Sequence, residues 1–416
     1  MVRNGKLWIR VLVYVVLFCS ADTLLFGSNK DTRFILLRYL SEATVVVILL
    51  AKLFFKDRMT AGVREVVFGS MVLLVLCSCI VNDDIRPGYL YIIMLLALGI
   101  LLTKTILFED FVDCFCRYVR FLAVVSILFF LFYIFCNELV RMLPVVTNTA
   151  DRQSYTMLLA SMPTEFYRNQ YRNSGIFREP GVFQMYLIWA LMFELFRKEK
   201  LSVVNCGICV VAILTTFSTT AYIAAAILLL CYFIKRGDYK DWVIRGFLFF
   251  GGGFALLYII QYTELLSPSG IIFGKFTEAN NPSVAARWAS VVVNLIMICR
   301  SVLLGNGLTF LNEEYNNYAV KYLQTEVSDN TNMILYLMAS LGVVFGGLFL
   351  LGLWKFCGRL SGGRLLRLGF LSIFVVLFIG ENLVFSPITY IFVFYGFEKW
   401  RNELGTRNSY ENNLVM

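Results

Sequence analysis

The sequence predicts an all-α polytopic integral membrane protein, and three observations carry that expectation. Hydrophobic residues fill 59% of the 416 positions and charged residues only 16%, a balance outside that of soluble globular domains. Mean hydropathy is +0.73, and apolar runs of about 20 residues, the length that crosses a hydrocarbon core, recur along the chain. The net charge of +9 is dispersed in short segments between those runs, where the bias of Lys and Arg toward cytoplasmic loops accounts for it. Nucleic acid is therefore not an expected partner.

Read in order, the runs give about 12 transmembrane helices in one transmembrane domain, 1–416. They fall over roughly 7–27, 34–54, 65–81, 89–107, 119–137, 177–196, 201–217, 219–234, 242–262, 331–354, 367–384 and 386–398. The first follows Arg3, Lys6 and Arg10 like a signal peptide but lacks a small-residue cleavage site, so it reads as an uncleaved helix. With the amino terminus in the cytoplasm, Lys52, Lys56, Arg58 and Arg64 share an inner loop, Arg197, Lys198 and Lys200 a second, and Lys355, Arg359, Arg364 and Arg367 a third. Both termini are then cytoplasmic.

That topology leaves two long outer loops, 138–176 and 263–330. The second contains a stretch at about 285–304 that reads as an amphipathic interfacial helix. At about 100° per residue Arg287, Ser290, Asn294 and Ser301 share one side, leaving Val291, Val292, Leu295 and Ile296 on broader apolar ground. Charges crowd these loops and the span interiors look nearly free of them, which counts against a transporter, whose ionisable groups sit at midplane.

Eleven cysteines accompany no histidine. The close pairs Cys77/Cys79, Cys114/Cys116 and Cys206/Cys209 lie in or beside apolar runs, where cysteine acts as a small hydrophobe, so neither a metal nor a cofactor is implied. Lacking histidine, the chain must draw any general base from Asp, Glu, Lys or Tyr.

Chemistry concentrates in Arg172-Asn-Ser-Gly-Ile-Phe-Arg178-Glu179-Pro180-Gly181, directly before a span. Arginine forks give paired, charge-assisted hydrogen bonds to phosphate. Arg172, Arg178, Arg287 and Arg300, placed outside against the charge bias, suit a diphosphate at the membrane surface or else snorkel to lipid headgroups. Glu179 can orient an arginine, act as a base, or complement the helix start beside Pro180. Gly175 and Gly181 allow close backbone approach to a ligand or serve turns and packing. Asp329, with Asn330 beside it, is a second candidate base or else a helix cap. Asn294 supports the Arg287 face. Ser218-Thr219-Thr220 and Glu381-Asn382 are polar in costly places and either line a cavity or join helices.

At these residues the chain resembles the O-antigen polymerase and ligase superfamily. The resemblance rests on Arg172 to Gly181 before a span, Thr216-Phe-Ser-Thr-Thr220 in a tight turn, Ala286-Arg287-Trp288 followed by Leu304-Gly305-Asn306-Gly307, and Asp329-Asn330-Thr331-Asn332 before a span with Gly342 and Gly346. It implies a GT-C-like glycosyltransferase of the bacterial inner membrane that joins oligosaccharides carried on undecaprenyl diphosphate at the outer face. It also implies a flippase and a chain-length regulator as partners. Arg178 and Arg287 match the family's diphosphate-handling arginines, with Arg172 beside them. The ligase branch carries histidine where this chain has Asp329, a departure that favours a repeat-unit polymerase over the ligase.

Overall fold

The computed structural model describes residues 2–54, 62–149, 151–164, 172–197, 201–236, 282–327, 329–361 and 363–398. The expected span 242–262 and the start of the second long loop, 263–281, lie outside the described residues. Helices dominate, in the order α1 (Val2–Phe18), α2 (Leu24–Gly27), α3 (Thr32–Phe54), α4 (Val63–Val81), α5 (Pro87–Thr105), α6 (Phe108–Phe135) and α7 (Asn137–Val140). After three short strands follow α8 (Pro180–Phe196), α9 (Val203–Thr215), α10 (Thr219–Arg236), α11 (Pro282–Arg300), α12 (Leu308–Leu323), α13 (Met333–Leu341), α14 (Val343–Leu360), α15 (Arg364–Gly380) and α16 (Pro387–Phe397).

Among the described residues six helices are long and apolar enough to cross a membrane: α3, α4, α5, α6, α10 and α14. Four shorter apolar helices, including α8 and α16, pack among them. The chain is thus a polytopic membrane protein.

Helices α8 and α16 form the centre. Nearly every residue of α8 and every residue of α16 is buried, as befits helices apolar all round. Trp189 of α8 meets the Phe392 ring edge-on at 5.1 Å, and Phe392 stacks on Phe356 of α14 at 4.7 Å. Helices α5, α8 and α16 all open with proline at the first position, where the missing N–H costs nothing and the fixed φ suits the helix.

Three elements depart from expectation. The first long loop is not irregular, and the chain is not wholly α: β1 (Val145–Thr147), β2 (Gln153–Thr156) and β3 (Ser161–Pro163) form an antiparallel sheet in that order. Tyr155 pairs with Val145 on one side and Met162 on the other. Met162 packs with Phe129, Phe130 and Tyr133 of α6, so contact with a helix end holds three strands of three or four residues, too short for a hydropathy window to register. The expected span 331–354 is broken into α13 and α14. At Gly342 (φ 93°) a Cβ would overlap the Leu303 carbonyl, and the bend lays Met338 against Gly346. Finally, 305–330 contains α12, whose first turn is held by Asp84: its carboxylate accepts from the Thr309 backbone N–H at 2.9 Å and from the Thr309 and Tyr89 hydroxyls.

Ion pairs occur at both ends of the bundle, Arg86 with Glu313 at one and the following three at the other: Lys104 to Glu65 at 2.6 Å, Arg359 to Glu398 at 2.7 Å, and Arg197 with Glu109. The end with Arg86, called here the site end, gathers the sheet, the start of α8 and the segments 329–332 and 381–386.

Candidate functional site

Five ionisable side chains meet at the site end: Arg172, Arg178, Glu179, Arg287 and Glu381. They come from the segment before α8, from α11 and from the cap of α15. Glu381 is influenced by Glu179 and by all three arginines, and Arg172 by Glu179, Glu381 and Arg287. Burial pushes the Glu381 carboxyl well above the usual carboxylate range, Glu179 raises it further, and Arg178, Arg287 and Arg172 oppose both. Burial likewise works against the charge of Arg172, offset by Glu179 and Glu381.

Two of the arginines are held by backbone carbonyls. Arg178 donates from Nη2 to the Asn382 carbonyl at 2.9 Å, and its own N–H donates to the Asp22 carbonyl at 3.0 Å. Arg172 donates from Nε to the Thr216 carbonyl at 3.0 Å, in the tight turn between α9 and α10. Glu179 is the N-cap residue of α8 with extended backbone, yet its side chain makes no capping hydrogen bond.

Glycines shape the space. A Cβ at Gly181 would coincide with Glu381 Oε1, so only glycine lets the carboxylate lie over the first turn of α8. Gly175, at φ +56°, turns the chain while its carbonyl accepts from the Ser161 N–H and hydroxyl of β3.

A chain of amides forms the floor. Asn382 donates to the Asn330 carbonyl at 3.2 Å, and Asn330 and Asn294 exchange side-chain hydrogen bonds at 2.9 Å. Asn294 also donates to the Ser290 carbonyl, and the Ser290 and Thr331 hydroxyls lie 3.2 Å apart. The polar stripe of α11 is therefore turned toward the protein: Ser290 and Asn294 are fully buried, while Trp288 and Leu295 are exposed.

Other candidates fall elsewhere. Arg300 lies 13 residues beyond Arg287 on α11, about 20 Å along the axis. It donates to the Tyr318 hydroxyl at 3.0 Å and covers the Phe310 ring, so it does not join the other arginines. Asp329 is exposed and acts on Tyr315 rather than on the arginine group. The cap of α13 is Asn332, accepting from the Leu335 N–H at 3.0 Å, and neither Asp329 nor Asn330.

What the arrangement offers chemically is two buried guanidinium Nε–H groups without an acceptor. Among the described residues no ion pair closes between these arginines and either carboxylate, and the Nε atoms of Arg178 and Arg287 are buried without a hydrogen-bond partner. Buried, unsatisfied guanidinium groups are costly, and an anion with several acceptor oxygens would relieve the cost.

Behind Arg178 lies a second buried group that sequence reasoning missed, contrary to the expectation that the span interiors lack charge. Asp22 accepts from the Tyr186 hydroxyl at 2.5 Å and from the Ser386 hydroxyl. On α3, Glu42 accepts from the Tyr91 hydroxyl at 3.2 Å and Arg38 donates to the Phe26 carbonyl at 3.0 Å. All three charged residues are less than a tenth exposed. The available signal was two opposite charges four apart in an apolar run, which places them on one helix face. Tyr91 also donates to the Phe385 carbonyl at 3.4 Å, so this group braces the 381–386 segment from below. Compared with known family models, curated proteins and solved structures, the chain matches none of them.

Proposed function

We propose that this protein is a membrane glycosyltransferase that polymerises oligosaccharide repeat units carried on a polyprenyl diphosphate such as undecaprenyl diphosphate. It would work at the outer face of the bacterial inner membrane, with the site end outside and both termini cytoplasmic. The observation that carries the reading is the convergence of Arg172, Arg178 and Arg287 around Glu179 and Glu381, with the Nε atoms of Arg178 and Arg287 buried and without a partner. The resemblance in the order of the polar motifs supports the same chemistry.

In the reaction an acceptor sugar hydroxyl bonds to the anomeric carbon of the donor. The bond from that carbon to the diphosphate oxygen breaks, and the electron pair leaves with the polyprenyl diphosphate. Fixed arginine charge stabilises that departure without any proton on the leaving group, the preorganised stabilisation on which such steps depend. The hydroxyl proton passes to a carboxylate, and Glu381 fits that role best, since it is buried among the arginines and ionises late. Glu179 holds its proton affinity up. Asp329, exposed and apart, is set aside as the base.

A second reading, a lipid-linked oligosaccharide flippase, is favoured by one observation, the buried Arg38 and Glu42 within α3. One experiment separates the two. Purified protein in detergent, given lipid-linked repeat units, should convert them into a ladder of lengthening glycans, and a preparation that leaves them single overturns the polymerase reading.

A further inference from the structure

Helix α6 carries a second feature, made of two spaces that share a wall. A cavity of about 650 Å³ opens between α6 and α9, with Arg117, Arg120 and Asn205 around it. A groove of about 550 Å³ runs between α1 and α6, walled by Val11, Val15, Phe18 and Leu122 and reaching Leu159 at the site end. Arg117 and Phe121 line both, so the basic cavity continues into the apolar groove.

The charges are unequally committed. Arg120 lies 3.8 Å from the buried Glu194 of α8, while Arg117 is exposed and makes no ion pair among the described residues. Arg10 of α1 joins both around the Tyr14 hydroxyl, and the nearby carboxylates, Asp110 and Asp113, lie on the Cys114 side. From Val11 to Phe18 the groove follows α1 for about 10 Å, parallel to the helices and pointing from the cations toward the site end. Phe121 and Val124 expose their side chains beside it.

We propose that this composite site binds one anionic phospholipid from the leaflet opposite the arginine site. Its phosphate would lie on Arg117 and Arg120, Asn205 would donate a hydrogen bond to it, and one acyl chain would fill the groove. A basic recess between transmembrane helices that opens onto apolar wall matches such a lipid in both charge and shape. A zwitterionic lipid brings an ammonium that two arginines repel. A free phosphate makes no use of the groove. The proposal is independent of the glycosyltransferase reading, since it concerns another face and another ligand.

The test is native mass spectrometry of the full chain released from micelles containing equal phosphatidylglycerol and phosphatidylethanolamine. The expected result is one retained phosphatidylglycerol, preferred by about fivefold or more, the scale of one basic residue near an anionic headgroup. Arg117→Gln, at an exposed position that leaves the Arg120 and Glu194 pair intact, should remove most of that preference. Val15→Trp, which fills the groove and spares the cations, should lower retention in protein that still elutes as a single species. Equal retention of the two lipids, retention unchanged in both variants, or displacement of phosphatidylglycerol by added polyprenyl phosphate would overturn the proposal.

Discussion

Glu381 lies over Gly181 so closely that a methyl group at position 181 would take the place of its Oε1. The carboxylate at the end of α15 is therefore positioned by an absent side chain at the start of α8. Gly181→Ala should displace Glu381 from the arginines and cut polymer formation by about tenfold or more, the cost of misplacing a reacting group by an ångström. Comparing ladder formation with the amount of protein inserted in membranes checks this, and full activity would break the link between the two residues.

Removing Arg178 or Arg287 should cost more. Arg178→Ala and Arg287→Ala are each expected to lower the rate by about 100-fold, the scale of one preorganised charge stabiliser. Arg178→Lys should recover little, because a single ammonium cannot keep the Asn382 carbonyl and also fork to phosphate. Arg300→Ala, far along α11, should leave the rate near normal.

The pH profile tests the base. Burial and Glu179 raise the Glu381 carboxyl, so its ionised form, the competent one, accumulates only above the usual glutamate range. The rate should rise with pH through that elevated region. Glu381→Gln should lose most of the rate and flatten what remains. Asp329→Asn should keep both the rate and the limb, a result opposite to the expectation from sequence.

Asn294 and Asn330 are satisfied by each other. Losing one amide leaves the other buried without its partner, so Asn294→Ala should destabilise the protein by about 1–3 kcal/mol. The double variant with Asn330→Ala should cost less than the sum of the two singles. Thermal unfolding in detergent reads both.

How much of this was legible in the sequence varies by element. The apolar runs announced α3, α4, α5 and α6 because a bilayer demands length and hydrophobicity that composition alone records. The three strands near 145–163 escaped, since burial of Met162 on α6 stabilises them and no run of their own does. Arg172, Arg178, Glu179 and Arg287 were found as charges at span mouths. That Glu381 lies beside them, and Asp329 and Arg300 apart, is set by packing and is not legible in the sequence.

By itself the sequence determined that the chain lives in a membrane and that its polar motifs stand at the ends of apolar runs, because both follow from local hydrophobicity. Only the tertiary structure decided which of those motifs meet. Arg178 and Glu381 are 203 positions apart, and nothing local brings them together. Packing of α8 against its neighbours, the bare face of Gly181 and the amide chain through Asn382, Asn330 and Asn294 do so, and they leave Asp329 in solvent and Arg300 at the far end of its helix.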